Sequence, residues 1–235
     1  MALPRIDAPR YEMKIPSTQE KVIYRPYLVK EEKILMIAME SQDEKHMVRA
    51  IKDVISACTE GAVNVDSLAM FDLEYVFTQL RSKSAGETTK VSLKCEHCET
   101  PNDVIVDLSE IKVVGIDKDK HKIKLNDDFV LMMKYPTVNQ LVNTESSKKS
   151  DVDKMFDLLA EVIDSLHTAD EVFDMKEQSK DEVKDFIESL NSEQFAKIRQ
   201  FIEESPTAQI SASFDCTNCK EHNDIEVQGL GNFFA

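Results

Sequence analysis

The chain has 235 residues, 42% of them hydrophobic and 31% charged, with a net charge of −15; that is enough apolar material to bury a core without staples. The longest wholly apolar run, Ile34 to Met39, is far short of the roughly 20 residues of a membrane-spanning helix, and no apolar segment suggests a secretory signal. An acidic surface repels phosphate, so direct nucleic-acid binding is disfavoured.

Residues 1–29 read as an extended N-terminal arm, with Pro4, Pro9 and Pro16, no apolar periodicity, and Tyr24-Arg25-Pro26-Tyr27 at its close. Such an arm needs a surface to lie on, its own domain or a neighbour. Residues 30–86 read as a helical region. Glu31 to Glu40 reads as a short, mostly buried helix. Ser41 and Glu44 have capping-box spacing for a second helix, striped by Met47, Val48, Ile51, Val54, Ile55 and Cys58 and stopped at Gly61. A third helix runs from about Ser67 to Ser84, with Gly86 after it. Residues 87–136 form a β region: Thr88 to Lys94 alternates, Val104, Val106 and Leu108 alternate again, and a hairpin follows at His121 to Leu125 and Phe129 to Tyr135.

Residues 137–205 read as an acidic helical insertion. One stripe joins Val152, Met155, Phe156, Leu159, Val162, Ile163 and Leu166. Ser179 with Glu182, and Asn191 with Gln194, cap two further helices, and Pro206 ends the last. Between Asp151 and Glu204 there are 16 Asp or Glu against 6 Lys or Arg, which suits a solvated helical face or a dock for a basic partner. Residues 206–235 return to strand and end in Gly229-Leu230-Gly231 and Phe233-Phe234. The fold class is therefore α+β, with helical regions beside a small β region.

The chemistry sits in Cys95-x-x-Cys98 and Cys216-x-x-Cys219. Each pair turns two sulfurs toward one point, and two pairs give the four thiolates of a tetrahedral structural Zn2+ site, one per chain; iron is the alternative metal, and two unconnected thiol pairs or disulfides the alternative without one. The 117 residues between the pairs do not forbid closure, because loop entropy grows only logarithmically. A near-repeat supports it: C-x-x-C-x-x-x-N-D-V-x-V from Cys95 to Val106 recurs as C-x-x-C-x-x-x-N-D-I-x-V from Cys216 to Val227. Each pair is then the tip of a β-hairpin, the layout of a zinc ribbon split by a long insertion. Four cysteines leave zinc no open position, so catalysis is not expected. Cys58 lies on an apolar stripe and reads as a core thiol. His97 and His222 flank the knuckles and read as exposed turn residues, while His46, His121 and His167 show no recognisable sequence spacing to carboxylates or serines. No phosphate-binding loop, nucleophile elbow or metalloprotease motif is present.

The segment Tyr24-Arg25-Pro26-Tyr27-Leu28-Val29-Lys30-Glu31-Glu32-Lys33-Ile34-Leu35, with Ala38-Met39-Glu40-Ser41 and the helix ending at Cys58, resembles the N-terminal signature of baseplate hub assembly proteins and hub subunits of T-even-like bacteriophages. Asn191-Ser192-Glu193-Gln194-Phe195 leading to Phe201, then Pro206, the second cysteine pair, Gly229-Leu230 and Phe233-Phe234, is similar to that family's C-terminal half. The resemblance implies a non-enzymatic tail protein, an assembly chaperone or hub subunit. Its partners would be other baseplate hub proteins. It would act in the host cytoplasm during assembly or in the virion's tail baseplate. The competing reading of the residues is a zinc-ribbon protein adaptor in transcription or replication.

Overall fold

The computed structural model describes residues 7–117 and 119–229. In chain order the elements are β1 (Tyr11–Lys14), β2 (Lys21–Tyr24), α1 (Val29–Ser41), α2 (Glu44–Cys58), α3 (Met70–Ser84), β3 (Thr88–Lys94), β4 (Pro101–Asp107), β5 (Lys112–Val114), β6 (Lys122–Lys124), β7 (Val130–Met133), α4 (Val138–Glu145), α5 (Asp151–Val162), β8 (Ile163–His167), β9 (Val172–Asp174), α6 (Lys180–Glu188), α7 (Ser192–Glu203), β10 (Thr207–Asp215) and β11 (His222–Gln228). Helices and small sheets make this an α+β protein, as the patterning implied. Among the described residues no helix is long and apolar enough to cross a membrane.

The chain divides into two compact units, one of residues 7–65, 71–114 and 207–229, the other of residues 66–70 and 115–206. In the first, β1 and β2 pair antiparallel, Tyr11 opposite Tyr24. The part of the arm within the described residues is thus a hairpin, and it lies on its own unit. Alternation puts Met13, Val22 and Tyr24 inside, and Ser17 anchors the turn, its N–H and hydroxyl donating to the buried Asp72 carboxylate at 3.0 and 2.5 Å. Met1 to Ile6, and with them Pro4, lie outside the described residues.

The Tyr24 to Tyr27 step is internal too. Arg25 pairs with Glu31 at 2.8 Å, Pro26 is buried, and the Tyr27 N–H donates to Ser84 Oγ. The cap of α2 is Asp43, whose carboxylate accepts from the Lys45 N–H; Ser41, expected there, still belongs to α1. The α2 stripe is otherwise as patterned, with Ile51, Val54, Ile55 and Cys58 essentially inaccessible.

Two longer hairpins complete this unit. β3 pairs with β4 from Thr88 opposite Asp107 to Lys94 opposite Pro101. β10 pairs with β11 from Gln209 opposite Gln228 to Asp215 opposite His222, and β5 pairs along the other side of β10. Their inward residues form one core: Val91, Leu93, Val104, Val106 and Leu108 with Ala208, Ile210, Ala212 and Val227.

The second unit departs from the all-helical expectation for 137–205. A four-stranded antiparallel sheet, order β6-β7-β8-β9, draws β6 and β7 from before residue 136 and β8 and β9 from after it. The stripe through Leu159, Val162, Ile163 and Leu166 is half helix and half strand. Helix α5 stops at Val162, and Ile163 turns extended at ψ 124°. Ile163 then lies opposite Met133 and Ser165 opposite Met132, so Asp164 is one residue more than the partner strand supplies. A bulge of that kind spaces the buried side chains of a strand three apart, and a spacing of three mimics a helix. Leu131, Leu159, Val162, Ile163, Ile187 and Ile198 form the centre of this core.

Candidate metal centre

The site is made of the two hairpin tips, and both tips are built alike. The Cys95 N–H donates to Thr100 O and the Glu99 N–H to Cys95 O, at 3.0 and 2.9 Å; the Cys216 N–H donates to Glu221 O and the Lys220 N–H to Cys216 O, at 2.9 and 3.1 Å. The residue after each second cysteine is left-handed, Glu99 at φ 57° and Lys220 at φ 65°. That turn of the backbone returns the chain into the second strand while both sulfurs stay on the inner side.

The near-repeat brings the two tips together. Cys95 Sγ lies 3.6 Å from Cys219 Sγ, and Cys98 Sγ lies 3.6 Å from Cys216 Sγ. All four sulfurs are within 4.8 Å of one another and can together hold one metal ion. A tetrahedron with metal–sulfur bonds of ~2.3 Å has edges of about 3.8 Å, so the spacing fits four-thiolate coordination. It does not fit disulfides, whose sulfurs are ~2.05 Å apart, and all four cysteines are free. Each hairpin contributes one buried sulfur, Cys95 or Cys216, and one half-buried sulfur, Cys98 or Cys219. Each short contact joins a buried sulfur of one hairpin to a half-buried one of the other.

The asparagines of the repeat cross-link the tips. Asn102, seven residues after Cys95, is buried. Its Oδ1 accepts from the N–H and hydroxyl of Thr217 in the other tip at 2.8 and 2.9 Å, and its Nδ2 donates to Thr100 O and reaches Cys216 Sγ at 3.6 Å. Asn223, seven residues after Cys216, repeats the arrangement: Oδ1 accepts from the Glu96 N–H at 2.9 Å and Nδ2 donates to Glu221 O. Sequence reasoning saw these asparagines only as part of a repeat. Their constant distance from the first cysteine was the available signal that each serves the opposite knuckle.

The electrostatics are those of acids crowded together. Hydrogen bonds from the Thr100 hydroxyl and N–H hold the Cys98 thiol down at about 5. Burial opposes ionisation of Cys216, but the N–H groups of Cys219 and Asn218 and the Asn102 amide outweigh it, and its value falls. At Cys219 the Glu221 N–H favours the thiolate, yet burial and the three neighbouring sulfurs push it up to about 12. Four thiolates this close repel one another unless protons or a cation stand among them.

The histidines stay outside the sulfur cluster. His222 Nδ1 is 2.8 Å from Asp215 Oδ1 at the exposed end of the β10–β11 hairpin, and its value is raised by that carboxylate and by Asp224. His97 is exposed. Cys58 is buried, away from the cluster, and burial pushes its thiol up to about 11. It is the core thiol that the stripe implied.

Fold and site define an α+β protein in which four cysteines from two like hairpins converge. The chain belongs to the family described as T4 bacteriophage base plate protein, whose family model matches residues 8–235, nearly the whole length. No curated protein and no solved structure gives a match. Membership makes the chain a tail baseplate protein whose partners are other phage proteins, in keeping with the resemblance read from its two halves.

Proposed function

We propose that the protein is a non-enzymatic baseplate hub assembly factor or hub subunit that acts through protein–protein contacts, on a scaffold closed by one structural Zn2+ held by Cys95, Cys98, Cys216 and Cys219. The observation that carries the metal is the convergence of four sulfurs at tetrahedral spacing from segments 117 residues apart. Zinc favours a closed set of four thiolates, and such a set leaves no ligand position for water or substrate. The asparagine cross-links and knuckle N–H groups act as the outer hydrogen bonds that orient ligands and offset their charge. The hub role rests on the signature residues and on the family match over 8–235. In the proposed architecture the zinc ribbon is split, and residues 137–205 belong to a module looped out between its halves. The protein would work in the host cytoplasm during assembly, and a hub subunit would stay in the tail.

A tagged chain purified from infected cells is expected to bring other tail proteins with it and to carry about one zinc per chain. Recovery of no tail protein would overturn the hub reading. A metal-free chain with unchanged folding would overturn the zinc reading. Mass spectrometry of purified virions separates subunit from transient factor.

A further inference from the structure

Helix α1 is apolar on almost every side, yet it buries only Glu31, Leu35 and Ala38. Val29, Met36 and Ile37 are 79%, 57% and 58% exposed, and Leu28, Ile34 and Met39 are exposed as well. A surface helix ordinarily turns its apolar stripe inward and its polar residues out, and several large apolar side chains exposed on one helix, rimmed by charges, mark a contact surface. At 3.6 residues per turn, Val29, Lys33, Met36 and Glu40 fall on one line along the helix, opposite the buried stripe.

The charges on that line identify the occupant. Lys33 and Glu40 stand seven residues apart, two turns, whereas ion pairs within a helix form at separations of three or four. A uniformly acidic or basic partner would be repelled by one of them. A parallel copy would set lysine against lysine. A second copy running antiparallel satisfies both.

We propose that this face binds the same face of a second copy of the chain, the two α1 helices antiparallel about a two-fold axis between Met36 and Ile37. That axis sets Lys33 of each copy level with Glu40 of the other and Met36 level with Ile37. It is an isologous contact, in which one surface is its own complement. A 13-residue helix is about 20 Å long, and a pair of them covers less than the ~800 Å² per partner of a standard stable interface. The dimer therefore dissociates on dilution.

Sedimentation equilibrium on the full-length, metal-loaded protein tests this. A concentration-dependent monomer–dimer equilibrium is expected. Lys33→Glu alone and Glu40→Lys alone each weaken self-association by about tenfold or more, because each makes both cross-pairs repulsive. An equal mixture of those two variants recovers it as a heterodimer, and the double variant Lys33→Glu/Glu40→Lys self-associates like the parent. Met36→Glu abolishes it while circular dichroism and melting temperature stay unchanged, since the position is exposed. A parent chain that stays monomeric at several hundred micromolar overturns the proposal. So does dimerisation that survives Met36→Glu, or a mixture no tighter than its components.

Discussion

The unit with the cysteines and the unit of residues 66–70 and 115–206 hold their β-structure by different means. In the first, the hairpins β3–β4 and β10–β11 share a core of mostly modest side chains, with Ala208 and Ala212 among them. At their tips four sulfurs converge and two asparagines hydrogen-bond across. In the second, sheet and helices close over Leu131, Leu159, Ile163, Ile187 and Ile198, all essentially inaccessible. Two hairpins with small apolar faces gain what they lack from directional bonds at one end, the usual recourse where a core is thin.

Removing the metal should break the comparison most sharply. On the proposed zinc reading, Cys95→Ser or Cys219→Ser is expected to abolish zinc binding, and that loss should cost the first unit on the order of 5 kcal/mol or more, since the binding free energy of a structural metal is folding free energy. Hydrogen exchange should show the β3–β4 and β10–β11 amides unprotected while the β7 and β8 amides remain protected. The opposite lesion is Leu131→Ala, in the centre of the second core. It should cost about 2–5 kcal/mol through lost burial and a residual cavity, and metal analysis should still return the full zinc content. If either variant unfolded both units equally, the two means of support would not be separable.

What was legible in the sequence divides along the same line. The cysteine tips could be read because their code is local and written twice: C-x-x-C, then Asn-Asp and an alternating strand at a fixed distance. The alternation of Val91 and Leu93 and of Val104 and Val106 gave the hairpins by a period of two. The four-stranded sheet was read only at its β6–β7 hairpin. Its pairing of β7 with β8 joins residues 30 or more apart, and the bulge at Asp164 gave Ile163 and Leu166 the spacing of a helix. Which surface the arm lies on was left open by the sequence: Met13, Val22 and Tyr24 are buried within the first unit, where Ser17 holds the turn to Asp72, a contact with no local signature. Exposure escaped as well, since the apolar run in α1 looks like core until its packing is seen.

The asparagines sharpen the comparison within the first unit. Asn102→Ala removes acceptance of both Thr217 donors and the amide beside Cys216, while Asn223→Ala removes acceptance of a single donor, the Glu96 N–H. Asn102→Ala is expected to cost about 1–3 kcal/mol, the penalty for stranding buried polar groups, and Asn223→Ala less. Both should speed zinc loss to a chelator, Asn102→Ala more. Equal and unchanged chelation rates would show that the asparagines brace the chain without serving the metal.

The smallest effect tests whether pH reaches the first unit away from its cysteines. Glu31 is buried and its carboxylate pairs with Arg25 at 2.8 Å and accepts from the Leu28 N–H at 2.9 Å. Burial raises its value, but the Arg25 guanidinium and the Leu28 N–H outweigh burial and hold it below the ordinary carboxylate range. A value depressed by folding contributes stability that is complete above the unfolded carboxylate value and is lost as pH falls through the folded one. Glu31→Gln keeps the shape and removes the charge, so at pH 7 it should cost about 1.5–2 kcal/mol, the worth of a hydrogen-bonded charge. The parent loses its advantage as its own Glu31 protonates, so denaturant melts of the two chains should converge as pH drops below the usual carboxylate value. Parallel curves down to the acid transition would assign Glu31 a packing role in which its charge has no part.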